Sequence, residues 1–190
     1  MEVEKVQREF DVRLEWKSFY LRPDTPPEGS PLPAGIRARM KDPNNPLKLR
    51  AAQMGLTMMD HDLIPSTRRA HQATKWAGTL AKLDAMHEQI LRRYWTLGEE
   101  IGQWPALGAA AQDAGLDPDA MREAVESGSF QTEVDRDIRE AQELGIHAVP
   151  TFVVGDRHAV QGAQEAEVIR QLLRKLGAGP KSGSAEHAPR

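Results

Sequence analysis

The stretch Gly145-Ile146-His147-Ala148-Val149-Pro150-Thr151-Phe152-Val153-Val154 carries the strongest local signal in the chain. A helical pattern with Val134, Ile138 and Ala141 on one face stops at Gly145. A β-rich apolar run follows over residues 151–154, and Pro150, which has no N–H to give to a ladder, stands at its head. A cis Val149–Pro150 bond would turn the chain sharply and present the backbone of Val149 to a groove. A trans bond would make the proline an ordinary strand start, and trans is the commoner form, since only about 5–6% of X–Pro bonds are cis. Gly155-Asp156 then turns the chain, and residues 158–161 return as a second short strand. Residues 164–176 read as a last helix with Val168, Leu172 and Leu176 on one face.

Working back towards the N-terminus, residues 46–145 read as helical throughout. Leu47, Leu49, Ala51 and Met54 make a first helix ended by Gly55, residues 60–65 are a connection, and Ser66 or Thr67 caps a second helix running to Trp76. Leu83, Met86, Ile90, Tyr94 and Leu97 form an apolar stripe stopped by Gly98. Trp104 opens a short helix closed by Gly115, and Asp117-Pro118 opens another that ends at Gly128. Met54, Met58, Met59 and Met86 are expected in the helical core. Upstream, five prolines between Pro23 and Pro33 predict a long loop over residues 22–45. Residues 11–20 alternate, with Val12, Leu14 and Trp16 opposed to Arg13, Glu15 and Lys17, which is the period of a strand. Val3, Val6 and Phe10 recur at helical spacing, so the chain opens inside a helix.

The order helix, strand, helical block, strand, hairpin, helix points to an α/β sheet interrupted by a helical insertion. The 190 residues suffice for a real core. A net charge of −3 gives no electrostatic reason to expect nucleic acid or an anionic membrane as partner. No run is long enough to span a bilayer, and the charged N-terminus lacks a signal core, so the expected location is cytoplasmic. With no cysteine, the chain holds no thiol with which to make, break or shuffle a disulfide.

Several stretches, in order, carry a resemblance: Trp16-Lys17-Ser18-Phe19 with Leu21 and Pro23; Ser66-Thr67-Arg68-Arg69-Ala70-His71; Met86-His87-Glu88 with Tyr94-Trp95; Glu100-Ile101-Gly102; and Val149-Pro150-Thr151-Phe152 with Gly162-Ala163-Gln164. Together they resemble the DsbA family of thioredoxin-fold oxidoreductases, in particular its FrnE-like branch, which is related to hydroxychromene-carboxylate isomerases and kappa-class glutathione transferases. The resemblance covers about residues 3–176. It implies a thioredoxin-like α/β sheet with a large all-helical insertion and a first strand that is missing here. The expected division is 1–44 (helix, strand, proline-rich loop), 45–130 (insertion), 131–176 (the rest of the thioredoxin-like domain) and 177–190 (a disordered tail).

In the family the matching proline is cis and lies beside a Cys-x-x-Cys pair at the start of the first helix. This chain begins inside that helix, so the resemblance implies a gene that starts upstream or is a decayed fragment. It supplies no catalytic residue, and neither a metal site nor a cofactor is expected. Substrate-binding positions are carried over to Val149, Pro150, Thr151, His147, Gly162, Ala163 and Gln164. The backbone N–H groups of residues 162–164 precede a helix and could hold a carboxylate. Glutathione-using relatives tend to carry an acidic–basic pair at that turn, which Ala163 and Gln164 do not supply. Expected partners are disulfide- or thiol-containing proteins or small molecules, and a homodimer stays open. Three readings follow: a shortened thiol-disulfide oxidoreductase, a redox-inert binding module, or a glutathione-dependent isomerase or transferase relative. His87-Glu88 lacks the second histidine of a zinc-protease helix because position 91 is leucine. Asp60-His61-Asp62 reads as a solvated loop, since consecutive residues rarely converge on one ion. His71 and His147 read as ordinary histidines close to the implied groove.

Overall fold

A computed structural model describes residues 2–155 and 157–181. The chain divides into two compact units. One takes the residues up to Lys17 together with those from Arg139 onward; the other is Ser18–Ile138.

In the first unit, α1 (Glu2–Glu9) leads into residues 11–17, which alternate between exposed and half-buried side chains as the sequence pattern predicts. They form no strand. The period is that of an extended backbone laid on a surface, with Val12, Leu14 and Trp16 half-buried, but a strand requires a run of paired residues, and the described residues show an isolated bridge, Phe10 with Pro180, beside the Asp11 bond to Gly179 rather than a ladder. The β3–β4 hairpin and the last helix, introduced below in chain order, complete this unit.

The second unit opens with an extended segment and β1 (Ser30–Pro31), followed by α2 (Ala34–Lys41) and α3 (Pro46–Gln53). The expected long loop thus contains a helix. Its prolines flank the helix, Pro33 serving as N-cap and Pro43 following its end, so they punctuate the helix rather than forbid it. Asn45 caps α3 by accepting a hydrogen bond from the Leu47 N–H at 2.9 Å. β2 (Leu63–Ile64) pairs antiparallel with β1, Ser30 opposite Ile64, so the helical block is not wholly helical.

α4 (Arg68–Thr79), α5 (Leu83–Trp95), α6 (Trp104–Asp113) and α7 (Pro118–Glu126) enclose the main core. Ala70, Ala73 and Ala77 form a small-residue face on α4 against α5 and α7, and Met86, Ile90, Leu107, Met121 and Val125 fill the space between the helices. α4 runs on to Thr79, beyond the expected end at Trp76, and its N-cap Thr67 makes no side-chain capping bond. Asp117 caps α7 as expected, accepting from the N–H groups of Asp119 and Ala120. Gly102 is required by close approach: a Cβ there would lie 2.9 Å from the Ser66 carbonyl oxygen. Met86 is fully buried, but Met54 and Met59 are exposed. They follow the last buried residue of α3, Ala51, on a segment that lies outside the helical core. Leu97 is exposed as well, because α5 stops at Trp95 and the stripe loses its helical geometry beyond it.

α8 (Gln131–Glu143) carries the chain from the second unit back to the first. β3 (Thr151–Val154) and β4 (His158–Gln161) then form the expected hairpin, followed by α9 (Ala166–Lys175). Ala166, Ile169 and Leu173 of α9 are buried with Val6 and Phe10, and Phe152 and Val154 pack against the same cluster. The expected stripe of Val168, Leu172 and Leu176 is one residue out of phase: Val168 and Leu176 are exposed. α9 carries two apolar rows about 100° apart, and the row facing α1 is the buried one. Arg170 clasps Glu9 with two charge-assisted bonds of 2.7 and 2.8 Å. After α9 the chain returns alongside α1, where Lys181 donates to the Glu9 carbonyl and Asp11 to that of Gly179. The remainder of the expected tail, 182–190, lies outside the described residues.

Candidate functional site

Every residue carried over as a substrate contact falls in the first unit, on two loops joined through the β3–β4 ladder. α8 ends in a glycine closure: Gly145 has φ +67°, the Ile146 N–H reaches the Ala141 carbonyl at 2.8 Å and the Gly145 N–H that of Gln142 at 3.0 Å. This releases the chain at Ile146 into the loop leading to β3. Thr151 ties that loop down, its hydroxyl donating to the Ala148 carbonyl at 2.7 Å. The Val149–Pro150 bond is cis, as expected.

Across the ladder, the Gly162 N–H donates to the Pro150 carbonyl at 2.8 Å, the Gln164 N–H to the Gly162 carbonyl at 2.8 Å, and the Gln164 side-chain amide to the Gln161 carbonyl at 3.0 Å. The turn before α9 is therefore a buttress for the proline loop. Two of its three backbone N–H groups are committed to it, which leaves them no hydrogen for the carboxylate envisaged from the sequence. Gly162 has φ +89°, a conformation that glycine adopts without strain.

Val149 is the opposite case. Its side chain is 49% exposed, and among the described residues neither its N–H nor its carbonyl has a hydrogen-bond partner. His147 and Pro150 are exposed beside it, and Thr151 is half-buried. Leu144 and Val153 add two further exposed apolar side chains to this stretch. Sequence reasoning passed over both, and only the helix phase and strand register reveal them.

The weaker candidates belong to the second unit. His71 belongs to the second unit, with its ring against Tyr20 at 5.4 Å. Burial, then the neighbouring charge on His87, pushes its imidazole down to about 4. The side chains of residues 60–62 diverge: Asp60 pairs with Lys48 at 2.6 Å, Asp62 with Lys41 at 3.2 Å, and His61 stacks on Tyr94 at 3.8 Å. His87 is half-buried on α5, and burial lowers its pKa.

The family model for the DSBA-like thioredoxin domain matches residues 1–174. The chain belongs to the DSBA-like thioredoxin family. It is similar to the uncharacterized protein YwbO of Bacillus subtilis, 25% identical over 86% of this chain and 82% of that protein. A crystal structure described as a probable DsbA oxidoreductase from Streptomyces coelicolor superposes with a TM-score of 0.81 at 26% identity, covering 100% of this chain and 84% of that one. A 2-hydroxychromene-2-carboxylate isomerase shares the fold, with a TM-score of 0.60 at 17% identity over 92% of this chain and 85% of that one. The fold is thus thioredoxin-like with a helical insertion, and it is mostly helical. The 190 residues contain no cysteine. Among the described residues no helix is long and apolar enough to cross a membrane.

Proposed function

We propose that this chain is a substrate-recognition module of the thiol-disulfide oxidoreductase family: it holds an extended thiol- or disulfide-bearing segment at Val149, Pro150 and Thr151 and performs no thiol exchange with its own side chains. The supporting observation is Val149, whose backbone donor and acceptor have no partner among the described residues and which is an exposed apolar residue. Such a residue can form strand-like hydrogen bonds to a polypeptide while its side chain makes apolar contact. The buttress at Gly162 and Gln164 holds the loop in shape, and His147 supplies a polar edge. Attack on a disulfide needs a thiolate, and the sequence contains none, so the chemistry would belong to the bound thiol or to a partner. The ordered motifs favour the FrnE-like branch and a bacterial cytoplasmic setting.

The test is fluorescence anisotropy with a labelled, end-blocked peptide containing one intramolecular disulfide. Wild-type protein is expected to bind it, and Val149→Asp, a change at an exposed position, to lose at least about tenfold in affinity with an unchanged melting curve. Equal binding by the two proteins, or no binding by either, would remove the loop as a recognition site.

A further inference from the structure

In the second unit, the turn between α5 and α6 borders a concavity of about 460 Å³, within the size range of small-ligand sites. Pro105, Ala106 and Ala109 of α6 give it an apolar wall, and Arg93, Glu99, Glu100 and Gln103 supply its polar groups. Hydrogen bonds decide which of those groups are already engaged. Arg93, 9% exposed, donates through Nη1 to both oxygens of Glu99 at 3.0 and 2.8 Å and through Nη2 to Asp113 at 2.7 Å. Its charge and that of Glu99 therefore satisfy each other. Gln103 commits its side-chain nitrogen to the Pro27 carbonyl at 3.4 Å, which leaves its Oε1 without a donor among the described residues. The Gln103 N–H reaches the Glu100 carbonyl at 2.9 Å, a turn that keeps these two residues together. The half-buried Glu100 carboxylate has neither a cation nor a hydrogen-bond donor among the described residues. Its charge is felt at Tyr94, whose phenol is pushed up by burial and then by Glu100.

The charge of the lining sets the sign of a ligand. Two carboxylates and one guanidinium leave a net negative charge, and the N-terminus of α6 offsets only about half a unit of it. A further anion is repelled and a cation attracted. A divalent metal is not matched, since it needs several oxygen ligands and Glu99 is already committed to Arg93. Nor is a quaternary ammonium, because no aromatic ring among the lining residues offers it a face. A primary ammonium carries three N–H donors, which suit a carboxylate and an amide oxygen. We infer that the concavity binds a primary alkylammonium, from a free small amine or a lysine side chain. Glu100 and Gln103 Oε1 accept its hydrogen bonds, and its alkyl stem covers Pro105, Ala106 and Ala109. The site belongs to a different unit from the proline loop, and the inference does not depend on the recognition reading.

The probe is n-pentylamine at neutral pH, titrated into the full chain and followed by NMR at the backbone amides of Glu100, Gln103, Ala106 and Ala109. Saturable shifts are expected there, with a Kd on the order of 1–10 mM. Pentanol, which keeps the stem without the charge, and pentyltrimethylammonium, which keeps the charge without the N–H donors, should each bind at least about tenfold more weakly. Glu100→Gln should lose about as much affinity for n-pentylamine while its melting curve stays unchanged. Nα-acetyl-lysine amide distinguishes the sources. Affinity equal to or above that of n-pentylamine assigns the site to a lysine side chain, and a loss of about tenfold or more assigns it to a free amine. Equal binding by pentanol would reduce the concavity to an apolar contact and overturn the inference. Equal binding by the quaternary ion, wild-type affinity in Glu100→Gln, or shifts that never saturate would overturn it as well.

Discussion

His71 and Asp137 are polar side chains set among apolar neighbours of the second unit, and they are accommodated differently. Asp137 sits on the buried stripe of α8, where helical periodicity calls for an apolar residue; it pairs with Lys75 and accepts the Ser18 N–H at 2.8 Å. A charge so enclosed persists only when partnered. His71 is accommodated by staying neutral. Its folded-state value of about 4 lies below the ordinary 6.5, chiefly through burial and then through the charges of His87 and Lys75, opposed by Asp137 and a hydrogen bond to the Phe19 backbone. Between those two values the unfolded chain takes up a proton that the folded chain refuses, so stability falls as pH drops from neutrality towards 4. The shift corresponds to about 2 kcal/mol lost between pH 7 and pH 5. Urea denaturation at those two pH values should show that loss, and His71→Gln should remove most of it. Parallel pH dependences in the two proteins would mean that the imidazole is open to protonation in the fold. The sequence alone shows neither accommodation, because both depend on neighbours brought together from distant segments.

At the scale of elements, α5 is the test of the core. Met86 and Ile90 lie at 0% and 5% exposure on its inner face against α4 and α6. Truncating a buried isoleucine removes its transfer free energy and leaves a cavity, so Ile90→Ala should lower unfolding stability by roughly 2–5 kcal/mol. An unchanged denaturation midpoint would place that face outside the core. The α5 stripe was legible because apolar residues recur every three or four positions; Arg93 was not, since it is a buried arginine held by Glu99 and Asp113, and pattern reading assigns charge to solvent. α2 was hidden by its proline surroundings, and it buries no residue to leave a periodic trace. The two-residue strands β1 and β2 are too short for any period to show. In residues 11–17 the period was read correctly, but the missing ladder is a property of neighbours, which no local pattern reports. The proline loop was legible as a helix stop followed by a β-rich run. The bracing of that loop was not, because it follows from one cross-strand bond at Gly162.

For the whole molecule, two independent constraints bear on activity. The domain match to residue 174 and the superposition on a probable DsbA oxidoreductase give the chain the framework of a redox family, while its composition withholds the atom on which that family's chemistry depends. Disulfide exchange proceeds by thiolate attack on sulfur through a mixed disulfide, so a chain without cysteine has neither nucleophile nor resolving group. No histidine, serine or methionine side chain replaces that step, because none is a thiolate able to form the mixed disulfide. The purified 190-residue chain is therefore expected to leave the rate of insulin reduction by dithiothreitol at its uncatalysed value, followed as the oxidised dithiothreitol formed, while turbidity of the released B chain reports aggregation. Binding can still be productive without turnover: an extended client held at Val149 would be shielded from aggregation in the same assay, which delays the turbidity without changing the rate at which oxidised dithiothreitol forms. Measuring both signals separates the two effects. Oxidised dithiothreitol that forms faster with protein than without it would show that the chain recruits a thiol cofactor and acts as a catalyst after all.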